Sequence, residues 1–198
     1  MELLLIRHGK TQGNLEGRYV GRTDEPLLET SLGELKKSDY RTFAPDFVYS
    51  SRLLRCRQTA DCIFPDKKIC IWPGLEETDF GAFEYKNYEE LNGDPAYQAW
   101  LDSGGMLAFP GGEAGADFRS RCREAFVSCM QDAEKKQAQR IAIVAHGGTI
   151  MSIMEAFAVP EKGFYDWQVK NGQGFQGEVV KKEGGTEHGI WKIYIREG

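Results

Sequence analysis

Twice in this chain an unbroken aliphatic run ends on a histidine and a glycine: LLLIRHGKT at residues 3–11 and IAIVAHGGT at residues 141–149. Neither run alternates apolar with polar residues, so neither suits a strand with one face in water. Continuous runs of this length suit central strands covered by helices on both faces. In open α/β sheets, ligands bind beyond the carboxyl ends of the strands, and that is where both polar clusters fall.

The rest of the chain supports such a sheet. DFVYS at 46–50 and KKICIWP at 67–73 read as two further strands. Arg52 to Ile63 lacks Gly and Pro and reads as a helix, with Ser50 or Ser51 placed to cap it. The clearest helix is Asp117 to Gln137. There Phe118, Cys122, Ala125, Phe126, Cys129, Met130 and Ala133 recur at steps of three and four, giving one apolar stripe. Arg119, Arg121, Arg123, Glu124 and Lys135 fall elsewhere, as a solvated face would. Another helix is expected from about Thr149 to Ala158, stopping ahead of Pro160. GEVVKK and IWKIYIR flank a Gly-rich turn and read as a closing hairpin; His188, in that turn, is expected to be solvated. This order predicts an α/β sandwich with a mostly parallel sheet. With 198 residues and no sharp shift in composition, one domain over residues 1–198 is expected. Gly104 to Gly115 reads as a loop, short enough to be an active-site flap rather than a linker.

Composition narrows the function classes. The net charge is −5 and there is no long Lys/Arg block, which argues against a nucleic-acid or anionic-membrane surface. An anionic small substrate stays compatible, because a pocket can be positive within an acidic protein. No apolar run approaches the ~20 residues of a membrane span, and the N-terminus lacks the basic lead-in of a signal peptide. The five cysteines (56, 62, 70, 122, 129) form an odd set without CxxC pairs and read as reduced, mostly buried thiols of a cytoplasmic protein. Nothing in the sequence fixes the oligomeric state.

Arg7, His8 and His146 sit at expected carboxyl ends of strands. Adjacent parallel strands would bring the two histidines side by side, and Gly9, Gly147 and Gly148 leave room for a ligand near the backbone. A helix opening beside Thr149 offers amides that favour an anion. A lone histidine is more often structural than catalytic; two at matching positions reverse that preference. Arg52 and Arg55 lie three apart on one helix face, and guanidinium groups match phosphate oxygens in bidentate fashion. Arg57 reads as surface. GLEETDFGAFE offers Glu76, Glu77, Asp79 and Glu84; an acid near a phosphate pocket would have its pKa raised toward the range of a proton donor, and composition does not choose among the four. No nucleotide-cradling glycine motif, no H-E-x-x-H, no Cys/His quartet and no G-x-S-x-G elbow is present, so neither a metal nor another cofactor is implied.

These residues resemble the histidine phosphatase, or phosphoglycerate mutase-like, superfamily. RHGKTQGN (7–14) is similar to its signature R-H-G-x-T-x-x-N, and SSRLLRCRQTA to S-x-L-x-R-x-x-Q-T-A. LEETDFGAFE is similar to L-x-E-x-x-F-G-x-[WF]-E and PGGE (110–113) to P-G-G-E-S, while AHGG supplies the second histidine. The likeness spans roughly residues 3 to 150. It implies a three-layer α/β/α sandwich with a mixed, mostly parallel sheet. It implies His8 as the nucleophile that takes the phosphoryl group, Glu77 as proton donor, and Arg7, Arg55 and His146 around the phosphate oxygens with Asn14 nearby and Gly147 beside them.

The activity expected from that resemblance is metal-independent hydrolysis of a small phosphorylated metabolite. Two alternatives use the same parts: a phosphoglycerate mutase-type isomerase, for whose longer insertions so compact a chain has little room, and a non-catalytic phosphate-binding module, which would need neither nucleophile nor acid. The compact size, the P-G-G-E loop and H-G-G resemble the α-ribazole phosphatase branch of cobalamin assembly. Phe80, Phe83, Tyr85, Tyr88, Tyr97 and Trp100 would either stack on a benzimidazole base or pack as core. The chain departs from the pattern at Tyr85 (commonly Gly), Phe83 (commonly Trp) and Ala114 (Ser), and no arginine closely follows HGGTI.

Overall fold

The computed structural model describes residues 1–182 and 190–196. Among them, seven strands form one sheet: β1 (Glu2–Arg7), β2 (Phe47–Ser50), β3 (Ile69–Ile71), β4 (Arg140–Ala145), β5 (Ala158–Val159), β6 (Gly174–Lys182) and β7 (Ile190–Ile195), in the order β3-β2-β4-β1-β6-β7-β5. β1, β2, β3 and β4 pair in parallel, and β6 runs antiparallel to both β1 and β7. The expected hairpin is therefore present as β6 and β7, whereas its turn, with His188, lies outside the described residues.

Among the described residues six α-helices accompany the sheet: α1 (Gln12–Leu15), α2 (Glu29–Leu35), α3 (Leu54–Ile63), α4 (Pro95–Asp102), α5 (Gly115–Lys135) and α6 (Gly147–Phe157). Successive residues of a strand point to opposite faces, so an unbroken aliphatic run needs cover on both. Leu3, Leu5, Ile141 and Ile143 pack with Phe126 and Met130 of α5 and Ile150 and Ile153 of α6. Leu4, Ile6, Ala142 and Val144 pack on the other side with Leu35 of α2 and Cys56, Ala60 and Ile63 of α3. The result is the three-layer α/β/α sandwich, with the sheet between helical layers. Each fully buried aliphatic side chain contributes roughly 1.5–3 kcal/mol, and Leu4, Leu5, Ile6 and Ile141 to Val144 have no exposed surface. All seven residues of the expected stripe on α5 are buried.

Some local readings change. α3 opens with Leu53 at its N-cap and no side-chain cap; neither Ser50 nor Ser51 caps it. The Leu54 amide donates instead to Asp24 at 2.6 Å, while the Ser51 hydroxyl is engaged by His146 Nε2 at 3.0 Å and the Leu53 amide at 3.4 Å. α6 begins two residues earlier than Thr149. α2 and α4, absent from the sequence reading, add cover. Asp94 caps α4 through the Ala96 and Tyr97 amides, with Pro95 at the first helical position. Cys56, Cys122 and Cys129 are buried, Cys62 and Cys70 are partly buried, and all five are unpaired. No helix among the described residues is long and apolar enough to cross a membrane.

Candidate active site

The register of two strands places the histidines. Arg7 on β1 pairs with Ala145 on β4, so the next residue of each strand is its neighbour's counterpart. The ring centroids of His8 and His146 accordingly lie 5.1 Å apart at 63°. Both rings are buried.

The two imidazoles have different hydrogen-bond environments. His8 Nδ1 donates to Gly9 O at 2.6 Å, which fixes the tautomer and leaves the Nε2 lone pair unengaged among the described residues. Burial first, then the charges of Arg55 and Arg7, hold His8 well below its ordinary pKa of 6.5, so it is neutral at neutral pH. His146 Nδ1 accepts from Arg55 Nε at 3.3 Å and Nε2 donates to Ser51 Oγ at 3.0 Å. Burial and Arg55 likewise keep His146 neutral.

A cavity of about 900 Å³ opens over His8, lined among others by Arg7, Asn14, Glu77 and Gly147, whereas His146, expected at the phosphate oxygens, is fully buried and does not line it. Arg7 Nη1 donates to Val169 O at 2.8 Å, while its buried Nε has no partner among the described residues. A Cβ on Gly147 would sit 3.3 Å from Arg7 Cζ, so the bare backbone lets the guanidinium lie against the start of α6. Arg55 is placed differently from Arg7. It is fully buried beneath the cavity, donating to Thr23 O (2.7 Å), Gly21 O (2.7 Å) and Val20 O (3.3 Å) besides His146. Its positive charge thus lies behind His146.

The four acids separate cleanly. Glu76 accepts from the Gly74 amide and pairs with Arg52; Asp79 pairs with Arg22. Glu84 accepts from the amides of Gly21 and Thr23 and the Thr23 hydroxyl, holding the loop whose carbonyls hold Arg55. Glu77 alone of the four lines the cavity. Its carboxylate accepts from the Gly148 amide at 3.0 Å and the Thr78 amide at 3.1 Å. Burial nevertheless raises its pKa above the ordinary 4.5, against the pull of those amides and of Arg7 and Arg55.

Arg121, expected on a solvated face, turns inward. It makes a two-point ion pair with Glu113 of the PGGE loop (2.9 and 2.7 Å) and donates to Gly74 O and Glu76 O at 3.0 and 3.1 Å. The segment leading to Glu77 is bonded by its carbonyls, a contact with no helical periodicity to announce it. Arg119 also leaves solvent for the cavity wall, paired with Glu155 and stacked 4.2 Å from Phe164. Arg52 and Tyr88 are exposed.

Of the six aromatics named from sequence, Phe80 and Trp100 line the cavity together with Tyr19, Phe109 and Tyr165, whereas Phe83 and Tyr97 are buried in a satellite cluster with Leu91. Tyr85 adopts a positive φ of 62°, the region that glycine enters freely and that costs another residue about 1–2 kcal/mol. Its hydroxyl donates to Glu25 and its ring lies under Arg18, 5.1 Å away, contacts that offset the strain. In the loop at 104–115, Gly105 and Phe109 reach the cavity, and the Glu113 amide is bonded to Asp79 O. No group of three or more His, Cys, Asp or Glu side chains among the described residues is placed to hold a metal ion.

Residues 3–178 match the model of the histidine phosphatase superfamily, branch 1. The chain is 30% identical over 181 residues to an adenosylcobalamin/alpha-ribazole phosphatase of Escherichia coli, with 87% of each covered. It is 30% identical over 162 residues to a metal-independent phosphoserine phosphatase of Arabidopsis thaliana, covering 77% of this chain and 66% of that one. The solved alpha-ribazole phosphatase of Shigella flexneri superposes with a TM-score of 0.78 at 25% identity, over 98% of this chain and 95% of that one.

Proposed function

The chain belongs to the histidine phosphatase superfamily, and from that premise we propose that it is a phosphomonoesterase working through a phosphohistidine at His8. The observation that carries the proposal is a neutral imidazole whose Nδ1–H is held by Gly9 O, at the floor of a cavity that also presents Glu77 and the unpartnered Nε of Arg7.

The chemistry follows in two displacements. His8 Nε2 attacks phosphorus in line as the bond to the ester oxygen breaks, and protonated Glu77 gives its proton to the departing alkoxide. The phosphorylated ring carries positive charge, which the Nδ1–H bond to Gly9 O stabilises. Arg7 and the Asn14 amide take the equatorial oxygens, and Arg55, held behind the neutral His146, adds positive charge from beneath. Glu77, now a carboxylate, removes a proton from water as that water attacks the phosphohistidine. The P–N bond breaks, phosphate leaves, and both residues return to their starting states. Dividing one hard displacement into two is covalent catalysis, and positioned proton transfer of this kind is worth about 10²–10⁴-fold.

For the substrate, the reading is a phosphate ester carrying a sizeable aromatic group, with α-ribazole 5′-phosphate first among candidates. It is supported by the names of the relatives and by the wall of Tyr19, Phe80, Trp100, Phe109 and Tyr165, against which a flat base can stack. A panel of phosphorylated metabolites containing α-ribazole phosphate, phosphoserine and both monophosphoglycerates tests it. Phosphate release fastest from the first supports the reading. Interconversion of the phosphoglycerates faster than phosphate release would assign a mutase instead.

A further inference from the structure

The loop between the turn at Phe164–Trp167 and β6 carries no motif of the family likeness, yet it is bonded to the catalytic backbone at several points. The Gly172 amide donates to Arg7 O at 3.1 Å and His8 O at 3.0 Å, and the Arg7 amide donates to Gln173 O at 2.9 Å. Between these bonds sits Asn171, whose Nδ2 reaches His8 O at 3.2 Å, Gly9 O at 3.5 Å and Asn14 Oδ1 at 3.0 Å. Asn14 and Asn171 both line the cavity with His8.

These bonds leave neither amide a choice of orientation. Backbone carbonyls only accept, so the group that Asn171 turns toward His8 O and Gly9 O is its NH₂. That NH₂ then imposes an acceptor on Asn14. Asn14 Oδ1 also accepts from the Thr11 amide at 3.3 Å, so its oxygen is held by two donors and its own NH₂ must face the other way. We propose that Asn171 is a positioning residue for phosphoryl transfer: it passes polarity from the His8 carbonyl through its own amide to Asn14, so that Asn14 presents N–H donors, not an oxygen, to the phosphate. A carbonyl oxygen aimed at a phosphate dianion would repel it, whereas an N–H is a charge-assisted donor. The proposal rests on the reading that Asn14 contacts the phosphate, and it assigns the orientation of that contact to a residue remote in sequence.

The test is a double-mutant cycle read by kcat/KM on p-nitrophenyl phosphate and by the inhibition constant of orthovanadate, with Asn171→Asp, Asn171→Ala and Asn14→Ala. Asn171→Asp keeps the shape and supplies an acceptor where acceptors already sit, so the Asn14 amide turns over. Its expected cost is about tenfold or more on both readouts, with Asn171→Ala losing less, the scale of a charge-assisted bond. In the Asn14→Ala background, Asn171→Ala is expected to cost less than about threefold, because the residue acts through a side chain no longer present. Equal losses from Asn171→Ala in both backgrounds would mean the loop serves only as a support, and would overturn the inference while leaving Asn14 in its role. An Asn14→Ala protein with wild-type kinetics and vanadate inhibition would overturn the reading of Asn14 itself.

Discussion

The Glu77 carboxylate accepts the Gly148 amide at 3.0 Å, joining the proposed proton donor to the first turn of the helix that follows His146. The approach depends on glycine: a Cβ at position 148 would lie 2.5 Å from Glu77 Oε1 and 3.0 Å from Phe118 Cζ. Gly148→Ala is therefore expected to displace the carboxylate. The loss in kcat should be about 10²-fold on alkyl phosphates, within the range of general acid catalysis, with the thermal midpoint moved by only a few degrees. Wild-type turnover in that variant would separate Glu77 from the chemistry.

Glu77→Gln tests the same group by chemistry. An amide donates no proton to an alkoxide, so turnover of alkyl phosphates should fall about 10²–10⁴-fold, and p-nitrophenyl phosphate, whose leaving group needs no proton, should lose far less in its phosphoryl-transfer step. The pH profile follows in sign. The acid must be protonated, and burial raises its pKa above 4.5, so kcat/KM for alkyl phosphates should decline as pH rises through that raised value. The decline should vanish in Glu77→Gln. Equal losses on both substrates would contradict the assignment.

His8 and His146 link stability to pH. Burial holds both well below 6.5 in the folded protein, whereas in the unfolded chain each takes up a proton near 6.5. Their contribution is complete above 6.5 and is lost as pH falls below it toward the folded values, at about 1.4 kcal/mol per pH unit for each histidine. Denaturant unfolding between pH 7 and pH 5 should show that slope, reduced in His146→Gln. An unchanged slope in the variant would show that His146 is already charged when folded.

Arg121→Met removes the ion pair to Glu113 and two carbonyl bonds in the segment before Glu77. Because the pair is only partly buried, the expected cost is about 2 kcal/mol, together with a fall in kcat that exceeds any change in KM. A denaturant titration beside kinetics checks both, and a variant with lowered stability but wild-type kcat would confine Arg121 to the scaffold.

Much of this arrangement was legible in the sequence because its signals are local. Unbroken aliphatic runs announce strands buried on both faces, and the stripe from Phe118 to Ala133 announces α5. Two strand–His–Gly units placed His8 and His146 at strand ends, and the register of β1 with β4 supplies the rest. What stayed hidden depends on contacts between distant loops. Arg121 has the spacing of a solvated residue but finds Glu113 and two carbonyls. Asn171 lies in a loop without periodicity, and only the fold brings its amide to His8 O and Asn14 Oδ1. Arg55 was expected among the phosphate ligands, and only the path of the loop at residues 20–23 shows its guanidinium held beneath the cavity. α4 had a readable start in Asp94–Pro95, a missed capping signal.

Transfer of the phosphoryl group to His8 is decided by rapid acid-free quenching of the enzyme with a ³²P-labelled phosphate monoester, followed by peptide mapping. The expected label is acid-labile and stable to alkali, located on His8, and absent from His8→Ala, which should also lack turnover. Full turnover in His8→Ala, or a label on any other residue, would contradict it.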